Sequence, residues 1–258
     1  MTTDLNALAA FAEELADAAR TVSLKYFRTA VDADAKADAS PVTIADRETE
    51  TLLRDMIEAQ FPNHGIFGEE HGSVRTDAEF VWVLDPIDGT KTFITGRPMF
   101  GTLIGLLRDS RAVMGVMDMP AINERWVGID GTTTLFNGQP VSTRPCQSIN
   151  TSWLYATSPT MFTEDHFPAF DRLRDASRYG NWGAECMAYG LLANGWVDIV
   201  CEDTMGPYDY VALVPIVEGA GGVMTTWAGQ PLNLDSDGTV LAVGDPTLHI
   251  KAMEILAG

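Results

Sequence analysis

Val81-Trp82-Val83-Leu84-Asp85-Pro86-Ile87-Asp88-Gly89-Thr90 is an apolar run that ends in two carboxylates three positions apart, with Pro and Gly shaping the backbone around them. The four large apolar residues read as a buried strand, and Asp-Pro-x-Asp-Gly as the turn that ends it. Where a strand feeds a tight turn, two side-chain carboxylates and a main-chain carbonyl can converge, which is the all-oxygen environment a hard cation such as Mg²⁺ requires. Thr90 then opens a short segment, Lys91-Thr-Phe-Ile94, whose first amides suit a phosphate oxygen if they begin a helix. Taken alone, Asp-x-x-Asp-Gly is more often an Asx turn or a helix cap.

Helical periodicity lies upstream. Leu5, Leu8, Phe11, Leu15, Ala18, Ala19, Val22 and Tyr26 predict an amphipathic helix over about 4–28. A polar stretch over 32–41 breaks the period as an exposed loop or hairpin. A second helix is expected over 44–60, stopped by Phe61-Pro-Asn-His-Gly65. Short apolar runs at 66–67, 80–84, 101–107, 112–117 and 125–128, with turns and no helices between them, predict a mainly antiparallel sheet. Past a compositional shift at 138–150 the pattern alternates, with strands at 152–156, 197–201, 222–225 and 240–243 and helices at 167–175, 185–193, 208–218 and 247–256. Alternation argues for a more parallel, helix-covered sheet. The expected fold is a layered α/β protein in two halves, 1–140 with most candidate metal ligands and 141–258 with Asp209 and the specificity residues.

Composition narrows the function classes. With 36 acidic and 17 basic residues the formal charge is −19, the wrong sign for phosphate-backbone recognition, so no nucleic-acid partner is expected. No apolar run reaches the roughly 20 residues that span a bilayer. Met1 to Arg20 has no basic region followed by an apolar one, so no signal peptide is read there, and a cytoplasmic protein without a membrane partner is expected. Cys146, Cys186 and Cys201, without CxxC spacing, read as reduced thiols. So acidic a chain suits a phosphorylated small molecule only when cations stand between protein and phosphate.

Two further acidic sites move Asp85 and Asp88 toward metal binding. Gly68-Glu69-Glu70-His71-Gly72 places acids directly after a short strand. Pro207-Tyr208-Asp209-Tyr210 places one at a helix start, where an Asp is ordinarily an N-cap. In this order, with Glu218-Gly-Ala-Gly-Gly222 downstream, the segments resemble the inositol monophosphatase-like, metal-dependent phosphatases over nearly the whole chain. The resemblance implies an αβαβα sandwich of the inositol monophosphatase/sugar phosphatase type and a homodimer. It implies Glu69, Asp85, the Ile87 carbonyl, Asp88 and Asp209 as ligands of two or three Mg²⁺ ions, with Asp88, Gly89 and Thr90 around the phosphate. Its catalytic residues are Glu69 and the pair Thr90 and Asp46, which orients the attacking water. Read from residues alone, Asp46 in Thr43-Ile-Ala-Asp46 is a solvated first-turn acid. Lys36 falls in the loop that resembles the family's mobile metal-binding segment, and a plain surface lysine is an equal reading. The chemistry follows from charge: a phosphate monoester dianion resists neutral water, whereas Mg²⁺ reverses the local sign, acidifies a water and stabilises the leaving alkoxide.

Alcohol specificity is expected from the second half, near 179–185 and Val200-Cys-Glu202. Glu202 lies seven residues before Asp209, where the resemblance to inositol phosphatases implies a contact with substrate hydroxyls. Glu185 stands where those enzymes carry a small uncharged residue, and a carboxylate beside a bound phosphate favours a substrate with its own positive charge. Gly183-Ala184-Glu185-Cys186-Met-Ala-Tyr189-Gly190 and Gly89-Thr-Lys-Thr-Phe-Ile-Thr-Gly96 resemble the histidinol-phosphate phosphatase branch, which commonly reads Gly-Asp-Cys-x-x-Tyr-Gly. Ala184 for Gly and Glu185 for Asp are the departures. The expected substrate contacts are Gly183, Glu185 and Glu202. The expected reaction is Mg²⁺-dependent hydrolysis of a small phosphate monoester, L-histidinol phosphate in histidine biosynthesis before inositol 1-phosphate or a sugar phosphate.

Other conspicuous residues are assigned to structure. Arg172, Arg174 and Arg178, spaced with Asp171 and Asp175, read as a solvated helix face rather than a second phosphate site, which argues against a bisphosphatase. His64, His71, His166 and His249 share no metal or triad spacing, and Met114, Met117 and Met119 read as packing. A catalytically silent binding module would be expected to have lost a ligand, yet all four acids are present.

Overall fold

A computed structural model describes residues 4–30, 33–35 and 41–258. The first part of the chain forms α1 (Leu5–Tyr26), a short antiparallel pair β1 (Ala33–Ala35) and β2 (Pro41–Thr43), and α2 (Ile44–Gln60). There follow β3 (Gly65–Gly68), β4 (Gly72–Val74), β5 (Phe80–Asp88), α3 (Thr90–Ile94), β6 (Gly101–Arg108), β7 (Arg111–Met119), β8 (Glu124–Ile129), β9 (Leu135–Phe136) and β10 (Gln139–Pro140). These strands make an eight-stranded sheet in the order β10-β9-β8-β7-β6-β5-β3-β4, antiparallel except for the β3–β5 pair.

The apolar run that opened β5 is continuous because both faces of this sheet are covered. Phe80, Trp82 and Leu84 pack with Leu8, Leu15, Leu53 and Ile57 of α1 and α2, while Val81 and Val83 face the opposite side. Asp4 caps α1, and Thr43 with Asp46 forms a capping box on α2.

The rest of the chain adds β11 (Trp153–Ala156), α4 (Phe167–Ala176), β12 (Tyr179–Trp182), α5 (Met187–Ala193), β13 (Ile199–Glu202), α6 (Pro207–Tyr210), α7 (Leu213–Gly219), β14 (Val223–Thr225), β15 (Val240–Val243) and α8 (Pro246–Ala257). Its sheet has the order β12-β11-β13-β15-β14. It is mixed: β11 is parallel to β12 and β13, while β15 is antiparallel to β13 and β14. Helices α5 to α7 lie between the two sheets, and α4 and α8 cover the outer face of the second, which completes an αβαβα stack. One apolar core joins Val81 and Trp126 of the first sheet to Tyr189 of α5, Leu213 of α7 and Val240 of the second sheet.

Three departures from the expected elements bear on function. The 208–218 helix is two helices with a break at Val211-Ala212. Gly105, Gly115 and Gly128 lie directly opposite one another on β6, β7 and β8, forming a bare row into which the 211–216 backbone sinks. A methyl group on Gly115 would stand 1.8 Å from the Ala212 carbonyl oxygen, so only glycine permits this approach. The 185–193 helix begins later, at Met187, because Ala184 and Glu185 have φ of 156° and 50°. The Asp85–Asp88 segment is not a turn after a strand but part of β5. Edge strand β12 was not expected. The ends of the polar 32–41 stretch pair as β1 and β2, and Lys36 lies outside the described residues.

Candidate active site

In a regular strand, residues three apart face opposite sides of the sheet. β5 pairs Asp85 with Leu103 and Asp88 with Gly101, so three steps on β5 match two on β6, and the extra residue is a β-bulge at Pro86-Ile87. The bulge turns both carboxylates to one side. Thr102 Oγ1 secures it by donating to the Pro86 carbonyl at 2.8 Å, and Ile87 N donates to Asp85 Oδ1 at 2.9 Å. The glycine row beneath α6 and α7 sets Asp209 over the same spot, its Oδ2 accepting from Gly206 N at 2.6 Å. Asp85, Asp88 and Asp209 each offer a carboxylate oxygen within 4.8 Å of the others. Glu69 follows β3; its amide donates to the Leu84 carbonyl at 3.2 Å, and its side chain is hydrogen-bonded to Asp85. Four acids remote in sequence share one cluster.

Burial and then mutual repulsion hold the Asp85 and Asp209 carboxyls well above the usual carboxylate range. Burial pushes Asp88 up to about 7, against the opposing effect of Cys186 N, which donates to its Oδ2 at 2.7 Å. Among the described residues lining the adjacent cavity there is no Lys or Arg. An all-oxygen cluster in this electrostatic condition fits hard divalent cations.

The sign of the pH effect follows. A carboxyl whose folded pKa is raised above its unfolded value binds more protons when folded, so its contribution to stability falls as pH rises from about 4 through about 7. Metal binding needs the same groups deprotonated. The rise in Tm caused by Mg²⁺ is therefore expected to be larger at about pH 8 than at about pH 5.5. Thermal unfolding with and without Mg²⁺ at the two pH values checks this, and a pH-independent increment would contradict it.

The other candidate residues gather around the cluster. Asp46 is buried rather than solvated. Its Oδ2 accepts from Thr43 N at 2.8 Å and Thr43 Oγ1 at 2.6 Å, and its Oδ1 lies 3.3 Å from Thr90 Oγ1. Gly89, at φ 82°, starts α3, its carbonyl accepting from Phe93 N at 2.9 Å. A side chain on Gly89 would come 2.9 Å from Glu185 Cγ, so the Glu185 side chain lies across this turn. The Glu185 carboxylate accepts from Thr92 Oγ1 and, at 2.9 Å, from Ala184 N. Glu202 accepts from Thr157 N at 2.9 Å through Oε1 and from Tyr189 OH at 2.8 Å through Oε2, and burial raises its pKa. Asp88, Asp209, Glu185 and Glu202 line a cavity of about 170 Å³. Gly183 does not line it; at φ 77° it shapes the turn into Glu185 and sits next to the Arg97 guanidinium.

Glu50 escaped the sequence reading because it looks like one more acid on an amphipathic helix. It is fully buried and accepts from Glu70 N at 2.6 Å, His71 N at 3.1 Å and Arg54 Nε at 2.7 Å. Arg54 also donates to the Gly72 carbonyl, so this pair on α2 clamps the turn that carries Glu69. Glu50→Gln is expected to weaken Mg²⁺ affinity about tenfold or more, read from the Mg²⁺ concentration dependence of Tm, while its fold is retained. An unchanged dependence would show that the clamp does not position Glu69. The remaining set-aside residues are structural: His64 accepts from Trp82 Nε1 and stacks between Phe61 and Phe80, and Arg174 pairs with Asp171 and Asp175.

The chain is similar in sequence and fold to proteins of one family. The model of the Inositol monophosphatase family matches residues 4–256. The chain is 44% identical to the chloroplastic bifunctional phosphatase IMPL2 of Arabidopsis thaliana, over 98% of this chain and 76% of that protein. It is 35% identical to a histidinol-phosphatase of Chlorobaculum parvum, over 94% and 93% of the two chains. The structure of an inositol monophosphatase from Zymomonas mobilis superposes with a TM-score of 0.92 at 43% identity, covering 99% of this chain and 100% of the other.

Proposed function

The chain belongs to the inositol monophosphatase family and is a phosphoric monoester hydrolase, and on that premise we propose that it hydrolyses an ester whose alcohol is cationic, L-histidinol phosphate. The observation that carries the choice is the position of Glu185, laid across Gly89 at the turn next to the carboxylate cluster. In L-histidinol phosphate the ammonium is on the carbon next to the ester carbon, so an ester bound at this turn brings its positive charge to Glu185. Inositol 1-phosphate offers only hydroxyls there. The 35% identity to a histidinol-phosphatase supports the same substrate.

In this reading Glu69, Asp85, the Ile87 carbonyl, Asp88 and Asp209 hold two or three Mg²⁺ ions. Bound Mg²⁺ supplies positive charge against the ester dianion and lowers the pKa of the water it polarises. Thr90 Oγ1 lies 3.3 Å from Asp46 Oδ1 and 3.2 Å from the Ile87 carbonyl; with that carbonyl taken up by metal it would donate its hydrogen bond to Asp46, leaving the Thr90 oxygen to accept from the attacking water and orient it. The Gly89 and Thr90 amides, with Asp88, receive the phosphate at the start of α3. Glu185 takes the ammonium. Glu202, both of whose oxygens already accept protein donors, keeps the far wall of the cavity polar. The protein acts in this reading as a cytoplasmic homodimer; no helix among the described residues is long and apolar enough to cross a membrane.

The second reading, inositol 1-phosphate or a broader range of sugar phosphates, draws on the similarity to the Zymomonas mobilis enzyme. Phosphate release from a panel of esters, with Mg²⁺ and with EDTA, separates the two. L-histidinol phosphate is expected to show the highest kcat/KM, and a preference for inositol 1-phosphate would overturn the assignment. Activity that survives EDTA would overturn the metal reading.

A further inference from the structure

Glu202 at the end of β13 and the next two residues, Asp203 and Thr204, each bind one surface segment, residues 157–166, that helps line the cavity. Glu202 accepts from both Thr157 N and Thr157 Oγ1. Asp203, 2% exposed, accepts from Thr163 N at 2.9 Å through Oδ2, and His166 Nδ1 lies 3.0 Å from the same oxygen. Asp203 Oδ1 accepts from Thr204 N at 2.8 Å, which helps hold Thr204 at φ 56°. Thr204 Oγ1 in turn donates to the Met161 carbonyl at 2.6 Å.

Thr157 and Met161 line the cavity; Asp203 does not. Between Thr157 and His166 the only regular structure is one 3-10 turn, Pro159–Met161, and Phe162 anchors the segment in the outer core. Nothing comparable to a strand ladder fixes Met161. Its amide donates to the Ser158 carbonyl at 3.2 Å within the 3-10 turn, its carbonyl is tied to Thr204, and Thr204 is tied to Asp203. We propose that Asp203 is a positioning residue for recognition of the alcohol: by tying Thr163 and Thr204 with one buried carboxylate it sets where Met161 stands relative to Thr157, which Glu202 holds, and so the width of the cavity. Charge-assisted bonds at both oxygens make such a tie stiff, and their loss loosens the link through which Thr204 holds the Met161 turn.

The inference rests on the cavity being the alcohol site, not on which alcohol fills it. The test therefore uses whichever ester the parent protein hydrolyses with the highest kcat/KM, so a preference for inositol 1-phosphate would sink the substrate assignment and leave this proposal standing. Asp203→Ala is expected to raise KM for that ester about tenfold, with kcat lowered less than about threefold. The inhibition constant of inorganic phosphate, which engages only the carboxylate-cluster side, is expected to move less than about twofold. Asp203→Asn keeps the side-chain shape and one good acceptor, and is expected to recover most of the parent KM. It carries the test if the alanine variant does not fold, since a loss of charge assistance still leaves KM about twofold to threefold above the parent. Overturning results are a KM that neither variant changes, or KM and the phosphate inhibition constant rising by the same factor, which would place the effect on the whole site.

Discussion

Asp209→Asn is expected to yield a protein that melts higher than the parent in EDTA and that, in Mg²⁺, is about 10³-fold less active or worse, a loss of ~4 kcal/mol of transition-state stabilisation. The two effects have one cause. Asp209 is packed against Glu69 and Asp88, and burial together with their charges pushes its carboxyl well up. Without metal, each carboxylate charged at neutral pH destabilises the fold. An amide of the same shape removes that charge and keeps the acceptor for Gly206 N, now made at 2.6 Å to Oδ2. Relief of about 1 kcal/mol corresponds to about 2–4 °C in Tm for a chain near this size. The gain should be greatest at about pH 8 and vanish below about pH 3, where the parent carboxyl is protonated in both folded and unfolded states. With metal, the same change removes a charge from the proposed ligand set. Asp85→Asn should behave alike, its Oδ1 being replaced as acceptor for Ile87 N. Thermal unfolding in EDTA and phosphate release in Mg²⁺ measure the two halves. Full activity in either variant would remove the shared metal cluster from the account, whereas loss of both activity and stability would make Asp209 a structural cap.

Why sequence reading reached this cluster but not its support is a question of range. The helices over 5–26 and 44–60 and the strand at 240–243 were legible because one local period decides each of them. The convergence of Asp85 and Asp88 was legible as a turn after the strand and through the family resemblance, whereas period-two reasoning within β5 as it runs puts them on opposite faces. The bulge that reverses this is a property of pairing with β6; Pro86, which has no N–H for the ladder, marks the place but not the direction in which the carboxylates turn. The broken helix at 211–212 has its cause in Gly105, Gly115 and Gly128, which lie on three other strands and become a row only in register. Asp46 and Glu50 look alike on the α2 sequence, and both are buried for reasons that lie elsewhere. One meets α3 through Thr90, and the other meets the β3–β4 turn. Local pattern therefore located the ligand-bearing segments, while long-range contacts decided which way each carboxylate faces.

Glu185→Ala is expected to lower kcat/KM for L-histidinol phosphate about 30-fold while changing that for inositol 1-phosphate less than about threefold. The size follows from a charge-assisted bond to an ammonium, worth about 1.5–3 kcal/mol. The asymmetry follows from chemistry, since only the amino alcohol presents a cation to that side of the turn. Two features of the loop could imitate this result and need separating. Glu185 accepts from Thr92 Oγ1 and Ala184 N, so truncation leaves two donors unpaired, and φ of 50° at this position is strained in any non-glycine residue. Glu185→Gln answers most of this, since it keeps the volume, the backbone strain and an acceptor for Thr92, and removes the charge at the cost of the acceptor for Ala184 N. If the carboxylate recognises the ammonium, Gln loses nearly as much as Ala on L-histidinol phosphate and nothing on inositol 1-phosphate. If Glu185 only holds the Gly89 turn, Gln restores activity on both esters and Ala depresses both alike. The same pair of substrates reads the sign of the interaction: raising ionic strength should weaken binding of the cationic ester to the parent more than to either variant, because screening acts on a charge pair and not on packing.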